Sequence, residues 1–66
     1  MYRVYYGASW NGKHSGVWEW KFYVGFEIEG LARQEANKLF EGFDGVVIVT
    51  GPTDNLNRPI LTLERL

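Results

Sequence analysis

Residues 17–28 alternate without a break. Trp18, Trp20, Phe22, Val24, Phe26 and Ile28 hold one parity, and Val17, Glu19, Lys21, Tyr23, Gly25 and Glu27 hold the other. A period of two marks a β-strand, because successive side chains point to opposite faces. One face of this strand is almost wholly large and apolar and must be covered by something. Twelve residues at about 3.3 Å each would run roughly 40 Å, about twice an ordinary strand. A bend at Gly25, or projection of the Trp18 end as an arm, is therefore expected.

The flanking segments limit what can do the covering. Residues 2–8 read as a strand rich in Tyr and Val, with Tyr2, Val4, Tyr6 and Ala8 on one face and Arg3, Tyr5 and Gly7 on the other. Asn11-Gly12, in the stretch 9–16, is a strong turn dipeptide, since both residues tolerate positive φ. Residues 30–42 predict a helix whose Ala32, Ala36, Leu39 and Phe40, continuing to Phe43, fall at i, i+4, i+7, i+8 and i+11. Gly30 is the expected N-cap and Gly42 the expected left-handed C-cap. Residues 45–50 form a β-branched run, the pattern of a central strand buried on both faces. Gly51-Pro52 ends that run, and residues 60–66 alternate once more as a short final strand, expected at an edge.

The order ββαββ predicts a small α+β two-layer sandwich: one helix on an antiparallel or mixed sheet, with an extended aromatic N-terminal hairpin. Sixty-six residues make one domain. A chain this short buries only about 60% of its unfolded surface, and small domains commonly need extra support. There is no cysteine, so disulfides and Cys-based zinc sites are excluded. Large apolar side chains and self-association remain. One helix, about 10 Å across, cannot cover a four-stranded sheet at roughly 4.8 Å per strand, and it leaves the opposite face bare. A homodimer is expected on that ground, formed through the bare sheet face or through exchange of the aromatic hairpin, with Tyr5, Val17 and Tyr23 at the interface because they share the face away from the tryptophans.

Charge narrows the function. The net charge of −1 suits neither a DNA mimic nor a general nucleic-acid binder. The distribution is uneven: residues 1–26 sum to +2 and residues 27–66 to −3. Nine of the eleven aromatic residues lie in that cationic first part. A basic n-region with an apolar stretch behind it is not visible, and the strongest apolar run, Val46–Val49, is far too short to span a bilayer. A cytoplasmic location without a membrane partner is the expectation.

Catalytic constellations are weak. His14 is the sole histidine, and Ser9 and Ser15 beside it lack an acidic neighbour in sequence to complete a relay. Glu27 and Glu29 read as a charged strand exit into a helix N-terminus rather than as paired acid–base groups. One histidine with scattered carboxylates does not make a transition-metal site. Neither GxGxxG nor GxxxxGK[ST] is present, and no cofactor is expected. Gly51-Pro52-Thr53-Asp54 reads as a turn that can contribute a pocket rim.

The richest binding segment is the first loop. Ser9, Trp10, Asn11, Lys13 and His14, with Trp18 where the next strand begins, combine a stacking surface, hydrogen-bonding groups and positive charge. Base–aromatic stacking is worth about 1–3 kcal/mol per base, and phosphate contacts add salt-sensitive affinity. The plain alternative is a polar hairpin loop with one tryptophan folded back on the sheet. Trp20 and Phe22, mid-strand, are expected in the core beneath the helix. The leading expectation is a non-enzymatic homodimer that sequesters a small anionic aromatic ligand such as a nucleotide signal. Size and composition are similar in style to accessory proteins of phages, although no quoted residue pattern carries a family. A protein-interaction module or inhibitor docking through its hairpin or edge strand is the alternative. Single-stranded nucleic-acid binding is disfavoured by the charge.

Overall fold

The computed structural model describes residues 1–7 and 19–64. Five elements follow one another: β1 (Tyr2–Gly7), β2 (Lys21–Phe26), α1 (Glu29–Glu41), β3 (Val46–Thr50) and β4 (Leu61–Leu63). The strands form one antiparallel sheet in the order β2-β1-β3-β4. This is the α+β ββαββ arrangement expected from the sequence, with the β1–β2 hairpin present. β3 is central, and all five of its residues are buried. β4 is an edge strand, as its short alternation suggests.

The core lies between the helix and one sheet face. Val4, Val47 and Val49 pack there with Ala32 and Ala36, all at 0% exposure. Two alanines on the inner helix face let the backbone approach the sheet closely. Tyr2, Tyr6, Val24, Phe26, Leu39, Phe40, Phe43, Leu61 and Leu63 close the rim of this layer. Tyr6 meets Phe43 edge-on, with ring centroids 5.3 Å apart, a favourable aromatic geometry. Gly45 sits where β3 begins. A Cβ placed there would stand 2.6 Å from both the Gly7 carbonyl oxygen and the Phe43 ring, so only glycine fits.

The helix ends differ from expectation. Ile28, not Gly30, is the N-cap, and it makes no side-chain capping bond. Glu29 in the first turn complements the helix dipole and is bound by Arg33 at 2.7 Å. Gly42 is the C-cap, but its φ of −106° is not left-handed. Its N–H closes onto the Leu39 carbonyl instead. Such a conformation is open to any residue, so glycine spacing alone misjudged this end.

The main departure is in β2. Val4 pairs with Val24, yet Tyr5 pairs with Phe22, so Tyr23 is an extra residue that shifts the register. This β-bulge reverses the parity of everything before it. Phe22 turns to the face away from the helix, where it meets Tyr5 edge-on at 5.7 Å. Tyr23 turns to the helix side and meets Tyr6 at 6.2 Å. The expected core position of Phe22 is therefore wrong: it is 56% exposed. Trp20 also lies on the open face, beside Ile48 and Thr62. Tyr5 and Tyr23, expected on one face, are on opposite faces. An uninterrupted period of two cannot reveal one inserted residue, because the aromatics on both parities suit either side.

The open face is also less bare than the size argument implied. Residues 51–60 return across its β3–β4 half. Gly51-Pro52-Thr53-Asp54 is a β-turn closed by the Asp54 N–H to the Gly51 carbonyl at 2.9 Å, with proline at its second position. From there Leu56, Asn57 and Pro59 reach over Ile48 and Thr62. What remains open is the β1–β2 half, carrying Phe22 and half-buried Tyr5.

Candidate functional site

Every open-face feature begins with strand pairing. Arg3 lies opposite Thr50, Tyr5 opposite Ile48, and Ile48 opposite Thr62. Those pairs place one cation, one phenol and two hydroxyls on the side that the helix leaves uncovered. The returning loop then adds a carboxylate. Asp54 adopts φ +52°, a left-handed conformation that aspartate tolerates better than most residues. That conformation turns its side chain onto the sheet.

Asp54 is the hub of the resulting cluster. The Tyr5 hydroxyl donates to Asp54 Oδ1 at 2.8 Å, and the Thr50 hydroxyl donates to the same oxygen at 3.0 Å. Arg3 Nη1 lies 3.6 Å from Asp54 Oδ2. The Tyr5 hydrogen bond, followed by that of Thr50 and the charge of Arg3, holds the Asp54 carboxyl below its ordinary 3.8, against an opposing effect of burial. Burial first, then the hydrogen bond and the negative charge of Asp54, pushes the Tyr5 phenol above 10.0, although Arg3 opposes this. A carboxylate this fully engaged is a strut rather than a free base: it fastens the loop to β1 and β3.

Beyond the strut lies a cleft of about 200 Å³ lined by Trp20, Ile48, Leu56, Asn57, Pro59 and Thr62. Four of its six lining side chains are apolar, yet polar atoms, including one carboxamide and one hydroxyl, make the larger part of the exposed wall. The loop that forms one side is held internally as well. The Asn57 N–H donates to Asn55 Oδ1 at 2.9 Å, and the Arg58 N–H donates to the Asn55 carbonyl at 3.1 Å. These are the local side-chain and turn bonds for which asparagine is favoured.

Ser9, Trp10, Asn11, Lys13, His14, Val17 and Trp18 lie outside the described residues. β1 ends at Gly7, and the described chain resumes at Glu19. Tyr5 belongs to the open face, whereas Tyr23, 45% exposed, belongs to the helix side of the edge strand. Glu27 is exposed and Glu29 is engaged by Arg33, which keeps the two from acting as a pair. Among the described residues no group of three or more His, Cys, Asp or Glu side chains is placed to hold a metal. No helix among them is long and apolar enough to cross a membrane.

Asp54, Asn57 and Trp20 are the open-face residues whose roles the sequence hid. The Gly-Pro-Thr-Asp turn was the one signal available for Asp54, and it gave a rim without partners. Asn57 carried no signal, since its importance comes from how the loop folds back. Comparison with family models, curated proteins and solved structures finds no match to this chain.

Proposed function

We propose that this chain is a non-enzymatic binding protein that acts as a homodimer and sequesters a small anionic aromatic ligand, such as a nucleotide signal. The observation that carries the reading is the aromatic open face: Phe22, Tyr5 and Trp20 stand on the side that the helix does not cover. Phe22 alone leaves 56% of its surface in solvent. Aromatic surface next to arginine suits planar anions, which gain from stacking and from charge together. The residues that join β1 to β2 in the sequence include Trp10, Lys13 and His14, groups of the same chemistry.

The bulge supports pairing of two copies through faces rather than edges. An edge strand carrying a bulge is a poor template for continuing a sheet. The exposed Phe22 face of β1–β2 is then the natural contact, and two such faces would enclose ligand between them.

Isothermal titration with linear and cyclic nucleotides, together with thermal melting in their presence, tests the binding. Saturable heat and a raised melting temperature are expected for at least one member. Absence of both across the panel would remove the reading. A second reading, a protein-docking module, is favoured by Phe22 and Tyr23 lying exposed on opposite sides of one edge strand. Aromatic anchors of this kind are common at interface hot spots. Stoichiometric capture of one host protein, lost in Phe22→Ala, would favour that reading over the first. Capture that survives the substitution would count against it.

A further inference from the structure

We infer that the cleft between Trp20 and the 51–60 loop is the seat for the single planar ring of a nucleotide, with Asn57 reading the ring edge and Arg58 pairing with the phosphate. This rests on the nucleotide reading above and deepens it by assigning the subsite.

Size comes first. Drug-sized ligands occupy pockets of about 300–1,000 Å³. A cleft of about 200 Å³ takes a ring system and leaves sugar and phosphate outside. Wall chemistry points the same way. Trp20, Ile48, Leu56 and Pro59 place flat and aliphatic side chains in the lining, against which the faces of a ring can lie, while the polar atoms that make the larger part of the exposed wall suit a ring edge.

The polar wall supplies recognition. A carboxamide has one acceptor oxygen and a donor nitrogen side by side. That pairing complements a nucleobase edge, on which a donor and an acceptor also lie side by side. The Asn57 side-chain amide makes no hydrogen bond with another described residue, so its groups are available to a ligand. Its backbone is nevertheless fixed by the bond to Asn55 Oδ1, which preorganises the loop. Thr62, opposite, adds a hydroxyl that can donate or accept.

Charge completes the fit. Arg58 stands in the chain between two cleft residues, Asn57 and Pro59, and its backbone is tied to Asn55. Its guanidinium is exposed and forms no ion pair among the described residues. Arg3, the open-face cation on β1, is already engaged by Asp54. Arg58 is therefore the loop cation with charge to spare for an anion at the mouth.

The test uses the full chain, with ribonucleoside 5′-monophosphates, ribose 5-phosphate and orthophosphate as probes. Wild type, Asn57→Ala and Arg58→Ala are compared by titration calorimetry at two salt concentrations. Circular dichroism checks that each variant remains folded, as substitutions at these exposed positions should. The expected result is binding of at least one nucleotide, and of neither ribose 5-phosphate nor orthophosphate at comparable strength. Arg58→Ala should weaken it about tenfold, the worth of one charge-assisted hydrogen bond, and flatten its salt dependence. Asn57→Ala should change the order of preference among the bases. A nucleotide that binds wild type and both variants equally would overturn the cleft assignment and leave the binding reading standing. Ribose 5-phosphate binding as tightly as the nucleotides would overturn ring recognition. Failure of every nucleotide here and in the wider panel would end both proposals together.

Discussion

Removal of the Asp54 carboxylate should detach the loop from the sheet, and the size of the effect follows from what it touches. In Asp54→Ala the Tyr5 hydroxyl loses an acceptor at 2.8 Å, and the Thr50 hydroxyl loses one at 3.0 Å. Thr50 is fully buried, so its orphaned hydroxyl retains a desolvation penalty of about 1–3 kcal/mol. Tyr5 is half-buried and contributes about 1 kcal/mol. The Arg3 pair adds little, about 0–1 kcal/mol, because both side chains are about a third exposed and water screens them. Alanine at φ +52° costs about 1 kcal/mol more. The total is about 3–6 kcal/mol, comparable to the few kcal/mol of stability expected for a domain of this length. At about 4–8 °C per kcal/mol, the lower end alone should depress the melting temperature by roughly 12–24 °C. Asp54→Asn keeps an acceptor and tolerates the left-handed backbone, so it should lose only about 1 kcal/mol. Thermal melts and urea titrations of the two variants, with a Tyr5→Phe/Asp54→Ala double-mutant cycle, measure these quantities. The reasoning fails if Asp54→Ala lies within about 0.5 kcal/mol of wild type, the ordinary range for a surface substitution. It also fails if the cycle shows no coupling between Tyr5 and Asp54.

Three further outcomes follow from other features. Gly45→Ala should be strongly destabilising, by about 2 kcal/mol or more, since its methyl would meet the Gly7 carbonyl as well as the Phe43 ring. Gly25→Ala should be far milder because the nearest obstruction is the flexible Met1 side chain, and comparative melts would show equal losses if the contrast is wrong. If the proposed dimer forms through the Phe22 face, Phe22→Glu should shift the mass measured by light scattering from dimer to monomer while leaving the circular dichroism spectrum intact; a mass unchanged by the substitution would count against that contact. For pH, the depressed Asp54 carboxyl gives stability that is full above 3.8 and is lost as pH falls through its lower folded-state value. The raised Tyr5 phenol gives stability that is full below 10.0 and is lost as pH rises through its higher folded-state value. Asp54→Asn should therefore shrink the acid loss, and one of the four tyrosines should ionise late in an ultraviolet titration, a delay absent in Tyr5→Phe.

The parts of the fold that could be read from sequence are those with a repeating apolar pattern. Helix spacing identified Ala32, Ala36, Leu39 and Phe40, and the β-branched run identified the central strand. Both depend on burial summed over several residues, which survives small local errors. The bulge at Tyr23 and the docking of Asp54 are different in kind. Each depends on one residue meeting a partner far along the chain, and neither leaves a period. The candidate cleft was almost wholly hidden for that reason. Its walls come from Trp20 just before β2, from β3, from β4 and from the loop before β4, and only the folded register brings Trp20 and Asn57 to one cleft.

The sheet order also carries a consequence for synthesis. β1, made before the other three strands, ends up in the interior of the sheet with β3 as a neighbour, and its Tyr5 bonds to a residue 49 positions later. The hairpin with β2 can form early, since its contacts are local. The other side of β1 must wait until residues 46–50 have been made, and until then its backbone groups and Tyr5 lack their final partners. Much of the pairing energy is thus deferred until β3 has been synthesised. Distant pairing of this type slows folding relative to a helical chain of equal length. A nascent chain of this protein would be most exposed to misassociation just before β3 emerges.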